Sequence, residues 1–417
     1  MSGPNSLQAP RLAFVLPRYG KSIGGGAETL AGEIARRYAQ RNIDRGVAPG
    51  VEVLTTCARD HRTWANYYEP STVEEDNLVI RRFPVDERDL EKFIHAEIAV
   101  RDGRTLTLEE QLDWLAHSVN SRELYRYILA QGASFDALLF APYLFATSFW
   151  GALIHPEKSI LIPCLHDEPY AYFPVFQPLF RSVRGIICNA EPERTLVTNV
   201  FSGVDKERRT AVVGMGFDSE PLTADSESRQ RTHLLFSGRK ETGKNLDLLL
   251  EWYRRYRESA PNPVDLVLIG AGEIDFLDQL PEGVKDYGFV SEAEKLSLMR
   301  SALCLCQPSV NESFSIVLME AWLQGTPVIV HADCAVTRHH AVVSGGGLYA
   351  GSAAEFSGAV RFLVDCPAQV EQLGAAGRRY VENEYNWTSV LRRFDDALAG
   401  FATTSTNSLV EDLPGGQ

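Results

Sequence analysis

The sequence predicts an α/β protein made of two doubly wound units, and three observations carry that reading. Short, continuous apolar runs alternate with amphipathic helical stretches, the pattern of a parallel sheet covered on both faces. A polar break, FDSEPLTADSESRQRT at 217–232, has no apolar face and is rich in Ser, Asp and Glu. After the break the same alternation starts again.

In the first unit RLAFVLP (11–17) reads as a strand and AETLAGEIARRYAQR (27–41) as an amphipathic helix. VEVLTT (51–56) and NLVIRRF (77–83) are further strands, and 106–132 is helical in two pieces. FDALLF (135–140), SILIPCL (159–165), RGIICNA (184–190) and RTAVVGMG (209–216) complete the sheet. In the second unit HLLFSGR (233–239), VDLVLIGAG (264–272), LCLCQPS (303–309) and PVIVHA (327–332) read as strands. The intervening helices include 245–258 and 291–302, the latter opened by a Ser291/Glu294 capping box. The chain therefore divides into a tail (1–10), a first domain (11–218), a linker (219–232), a second domain (233–384), a last helix (385–402) and a tail (403–417). Folds of this kind place ligands at the carboxyl ends of their strands, and two such units suggest a cleft between them.

Composition narrows the function. The 417 residues suggest two or three domains, and a formal charge of −14 argues against a general nucleic-acid binder. The seven cysteines have no pairing pattern, which points to a reducing compartment. No apolar run reaches the roughly 18 residues of a spanning helix. The first ten residues have neither a basic segment nor an apolar core, so they do not read as a signal peptide.

Four stretches carry chemistry. GGGAE after the first strand lets backbone come close to a ligand at a helix N-terminus, with Gly25 and Gly26 at the approach. Its spacing is not the G-x-G-x-x-G of a dinucleotide site, which counts against a dehydrogenase. SGRKETGKN after the first strand of the second unit gathers Arg239, Lys240 and Lys244, suited to a diphosphate or to a solvated loop. LHDE ends a strand with His166, Asp167 and Glu168; no metal-ligand spacing and no G-x-S-x-G elbow accompany it.

The fourth stretch, NESFSIVLMEAWLQG, holds Glu312 and Glu320 eight positions apart. On one helix they would point about 80° apart and lie about 12 Å apart along the axis. The expectation is instead Glu312 in the preceding loop and Glu320 within the helix, where an apolar setting demands a partner.

In this order the four motifs resemble the GT-B glycosyltransferases of the large retaining family 4, whose E-x7-E pattern is here Glu312 and Glu320. The resemblance spans roughly 11–400. It implies a GT-B fold, two Rossmann-like domains facing across a cleft, with the last helix crossing back to the N-terminal domain. A nucleotide-diphosphate sugar would sit mainly on the second domain and a glycan or lipid-linked acceptor mainly on the first. By resemblance Arg239 and Lys244 grip the diphosphate, Gly25 and Gly26 approach phosphate or sugar, and Glu312 accepts from sugar hydroxyls. Glu320 holds the ribose, the backbone of Phe314, Ser315 and Ile316 meets sugar and phosphate, and the segment with Phe289 passes the base. His166 lies near the sugar with Asp167 beside it. No metal and no cofactor are expected, and the implied reaction is front-face displacement with retention. The chain departs from the family's frequent E-G-F-G at Ser313 and Ser315, which implies a narrower or more polar donor pocket.

The resemblance places the protein in the cytoplasm, at the inner face of the membrane if it contacts one. The 106–132 stretch has little positive charge to attract anionic lipid. A GT-B-like nucleotide-sugar epimerase and a non-catalytic sugar-nucleotide-binding subunit remain alternatives.

Overall fold

A computed structural model describes residues 9–21, 23–220, 231–274 and 279–403. Most of both expected tails and of the linker at 219–232 lies outside the described residues. The chain divides into two compact units, one running to Met215 and resuming at Val390, the other Gly216–Ser389.

The first unit is built on eight strands: β1 (Leu12–Leu16), β2 (Val51–Thr56), β3 (Ser71–Glu75), β4 (Leu78–Phe83), β5 (Ala137–Phe140), β6 (Ser159–Leu161), β7 (Gly185–Cys188) and β8 (Thr210–Val212). Their order is β3-β4-β2-β1-β5-β6-β7-β8. Every neighbouring pair is parallel except β3 with β4. Strand β1 pairs on both sides and all five of its residues are buried, as a continuous apolar run at the sheet centre requires. Strand β3 was not expected. STVEE buries no apolar face, and it is held at the edge by a tight turn whose Asp76 and Asn77 have φ of 51° and 65°.

Helix Gly26–Asp44 covers the sheet with Leu30, Ile34 and Tyr38, one face at a spacing of four. The 106–132 stretch forms two helices, Leu108–Ala116 and Arg122–Gln131. Thr107 and Glu110 cap the first reciprocally, and Ser121 caps the second. A further helix, Leu90–Arg101, opens on Asp89.

The last helix, Trp387–Thr403, completes this unit from Val390 onward. Phe394 stacks on Phe14 at 6.2 Å and meets Tyr38 edge-on at 5.5 Å. Asp395 pairs with Arg41 at 2.7 Å.

The second unit has six parallel strands: β9 (His233–Ser237), β10 (Asp265–Ile269), β11 (Val284–Asp286), β12 (Ala302–Gln307), β13 (Val328–His331) and β14 (Gly347–Ala350). Their order is β11-β10-β9-β12-β13-β14. The two outer strands escaped sequence reading because VKD and GLYA are short and largely unburied. This unit begins at Gly216 rather than after 218. The Phe217 amide donates to the Tyr385 carbonyl at 2.7 Å, tying the two ends of the unit together. At the carboxyl end of β10, Gly270 has a φ of 127° and a side chain there would meet the Gly238 carbonyl at 1.9 Å. Only glycine allows the turns after β9 and β10 to come this close.

No helix among the described residues is long and apolar enough to cross a membrane.

Candidate functional site

In the second unit the carboxyl ends of β9 and β12 bring the basic cluster and the first glutamate together. The loop after β9 carries all three cations, but they are not equivalent. Lys240 is buried and forms an ion pair with Asp286, at the end of β11, at 2.6 Å. It fastens the loop to the sheet. Arg239 is exposed and meets Glu241 at 3.4 Å. Lys244 donates from Nζ to Glu312 Oε1 at 2.7 Å. An ammonium has three donor hydrogens, so this bond leaves two for an anion.

Glu312 lies in the loop between β12 and helix Ile316–Leu323, as its spacing from Glu320 predicts. Gln307, the buried last residue of β12, donates from Nε2 to Glu312 Oε1 at 3.0 Å and to Ser315 Oγ at 3.3 Å. Among the described residues Glu312 Oε2 accepts no hydrogen bond. Ser315 occupies the N-cap position at φ 69° and ψ 79° without a side-chain capping bond, a left-handed conformation costing a non-glycine residue about 1–2 kcal/mol. Phe314 is buried, stacked on Phe217 at 6.3 Å and edge-on to Tyr385 at 5.1 Å and His340 at 5.6 Å. Its ring is core, so any ligand contact falls to its backbone. Burial pulls His340 down to about 3, and its Nδ1 lies 2.9 Å from the Tyr380 hydroxyl.

Glu320 sits inside that helix and pairs with Lys295 at 2.9 Å. Lys295 also meets Glu292 at 3.0 Å. Burial raises the Glu320 carboxyl, with Lys295 opposing it. Burial works against the Lys295 ammonium, but the two carboxylates outweigh it and its pKa is raised. In the segment after β11, Phe289 is 84% and Tyr287 50% exposed.

In the first unit the carboxyl ends of β1 and β6 hold the remaining expected residues. Gly25 precedes helix Gly26–Asp44 with extended backbone, φ −158°. Glycine is demanded there by packing: a side chain would meet the Glu28 carboxylate at 2.2 Å, and Arg18 holds that carboxylate at 2.6 Å. Gly26 has open space around it. His166 Nδ1 is 3.7 Å from Glu168, and Asp167 accepts from the Tyr172 hydroxyl at 2.7 Å. A cavity of about 370 Å³ opens beside β1, lined by Tyr19, Lys21, Glu28, Glu33, Arg36 and Ile80 among others. Burial, helped by Glu33, pushes the Tyr19 phenol up to about 12.

Three residues escaped the sequence reading. Gln307 shows only as a polar end to the apolar run LCLC, and Lys295 looks like any exposed helix lysine. Glu193 is fully buried below the His166 loop and accepts from the amides of Leu165 at 2.6 Å and Asn189 at 2.5 Å. Burial pushes its carboxyl up to about 7.

Two doubly wound sheets, one with cations and a carboxylate at its carboxyl edge, define a Rossmann-like protein. Comparison with known proteins places it further. Residues 221–380 match the family model described as Glycosyl transferases group 1. The phosphatidyl-myo-inositol mannosyltransferase of Mycobacterium leprae is 34% identical over 180 residues, 42% of this chain and 48% of the relative. The D-inositol 3-phosphate glycosyltransferase of Gordonia bronchialis is 27% identical over 256 residues, 54% of each chain. The chain thus spans about half of these curated relatives.

Solved structures match over most of the chain. Anabaena Alr3699/HepE in complex with UDP-glucose superposes with a TM-score of 0.66 at 15% identity, covering 94% of this chain and 100% of the other. Sucrose-phosphate synthase from Thermosynechococcus elongatus gives 0.66 at 16% identity, covering 94% and 99%. The chain has the GT-B fold of these structures, and its resemblance to the group 1 glycosyltransferases is carried by residues 221–380.

Proposed function

We propose that the protein transfers a hexose from a nucleotide-diphosphate sugar to a glycan or lipid-linked acceptor, with retention of configuration and without a metal ion. The observation that carries this reading is the Lys244–Glu312 pair, 2.7 Å apart at the carboxyl edge of the second sheet. It sets a phosphate-binding cation beside a carboxylate suited to sugar hydroxyls. The relatives named as mannosyltransferases and the neighbour holding UDP-glucose support a hexose donor.

In the proposed reaction the bond from the sugar's anomeric carbon to the diphosphate oxygen breaks. Arg239 and Lys244 take up the charge that develops on the departing diphosphate, the electrostatic role a metal ion fills elsewhere. The acceptor hydroxyl attacks from the same face, and the leaving diphosphate accepts its proton. Glu312 orients the sugar, Glu320 the ribose, and the exposed Phe289 segment lies along the base. His166, Asp167, Gly25 and Gly26, on the first unit, serve the sugar and phosphate. The reaction belongs to the cytoplasm, with peripheral membrane contact where the acceptor is lipid-linked.

The test is to supply UDP-glucose and GDP-mannose with a glycoside acceptor, with and without EDTA, and to record diphosphate release and product anomer by NMR. One donor should give a retained glycoside at an EDTA-insensitive rate. A free epimerised sugar identifies an epimerase instead, and no turnover of either donor rejects the reading.

A further inference from the structure

Ser315 stands in a backbone conformation that favours glycine, φ 69° and ψ 79°, and it is buried. A serine held there against its own preference needs a compensating interaction. The structure contains one. Ser315 Oγ accepts from Gln307 Nε2 at 3.3 Å, and the same nitrogen donates to Glu312 Oε1 at 3.0 Å. Gln307 is buried at the end of β12, a strand lying between β9 and β13, and pairs with Val330 of β13. Its carboxamide cannot turn to water for partners. Lys244 grips the same Glu312 oxygen at 2.7 Å. That oxygen is therefore held from two sides, one donor on the β9 loop and one on β12.

We infer that Gln307 and Ser315 are positioning residues that fix the Glu312 carboxylate for the donor sugar, and that Ser315 is kept at a glycine-favouring position for its hydroxyl. The inference rests on the proposed donor site. Ser315 orients the Gln307 carboxamide, Gln307 orients Oε1, and the other carboxylate oxygen is turned to the ligand. The helix that starts at Ile316 is thereby tied to the same carboxylate, so one hydrogen-bonded unit links the helix start, the strand end and the loop.

A purely structural serine makes the opposite prediction to a positioning one. Replacing Ser315 by glycine removes the backbone strain together with the hydrogen bond, two effects of similar size, so Tm should stay within about 2 °C of the wild type. If the hydroxyl positions Glu312, an equally stable protein should be the poorer enzyme.

The experiment measures Tm and donor turnover for wild type, Ser315→Gly, Ser315→Ala, Gln307→Leu, Glu312→Gln and Gln307→Leu/Glu312→Gln. The donor is whichever of UDP-glucose and GDP-mannose the wild type turns over. Ser315→Gly and Ser315→Ala should each lose about fivefold in kcat with donor KM changed less than twofold, although only Ser315→Ala keeps the backbone strain and is destabilised. Gln307→Leu should lose about tenfold, in line with a hydrogen bond to a charged group. In the Glu312→Gln background Gln307→Leu should cost less than twofold more, because it acts through that carboxylate. A Ser315→Gly enzyme with undiminished kcat, or losses that multiply in the double variant, would overturn the proposal while leaving the transferase reading intact. A wild type that turns over neither donor would overturn both.

Discussion

The two glutamates of the E-x7-E stretch each hold a lysine, yet the pairs differ in construction. Glu312 is on a loop, and its Oε1 is shared by Lys244 at 2.7 Å and Gln307 at 3.0 Å. Glu320 is within a helix, and its Lys295 is shared with Glu292 at 3.0 Å. In the first pair the carboxylate has two donors; in the second the cation has two acceptors. The first arrangement fixes an acidic oxygen in place, and the second neutralises a carboxylate that burial would otherwise penalise. The same two residue types thus produce a carboxylate held from two sides in a loop and a carboxylate neutralised within a helix.

That difference can be broken most visibly at Glu312. Glu312→Gln should lower kcat for donor turnover about 1,000-fold, as loss of a preorganised polar contact in a transition state does. Its Tm should stay close to that of the wild type.

Glu193 offers a third construction, a buried carboxyl held by two backbone amides. Its pKa rises from 4.5 in the reference state to about 7 in the fold, so the folded state binds its proton more tightly. Stability from this group is full below about 4.5 and is lost as pH rises through about 7. The loss is on the order of 3 kcal/mol. Denaturant unfolding from pH 5 to 8 should show that decline in wild type and a flatter profile in Glu193→Gln.

The smallest effect belongs to the anchored pair. Glu320→Gln should raise donor KM about tenfold while kcat changes less than twofold, since Glu292 still holds Lys295. Equal kcat losses at Glu312 and Glu320 would erase the distinction between them.

Much of the fold was legible because buried parallel strands read as continuous apolar runs, as β1, β5, β9 and β13 do. Strands β3, β11 and β14 were not legible, because sheet edges bury little and carry no such run. At the site the placement of Glu312 in a loop and Glu320 in a helix matches the expectation, although an eight-residue spacing gives only the offset the two would have on one helix. The role of Lys240 did not follow, because a basic cluster in sequence does not distinguish a cation pairing with Asp286 from one pairing with Glu312. Gln307 and Lys295 were hidden for a related reason: their partners are 5 and 25 residues away and only the fold brings them together.

The proposed action of the Lys244–Glu312 edge on a nucleotide-diphosphate sugar can be measured. Its most direct test is turnover of UDP-glucose and GDP-mannose by wild type and Glu312→Gln in one assay, followed as diphosphate release. Turnover of one donor by the wild type, falling about 1,000-fold in an equally stable variant, is the result expected. Equal rates in the two proteins, or no turnover of either donor by the wild type, would contradict it.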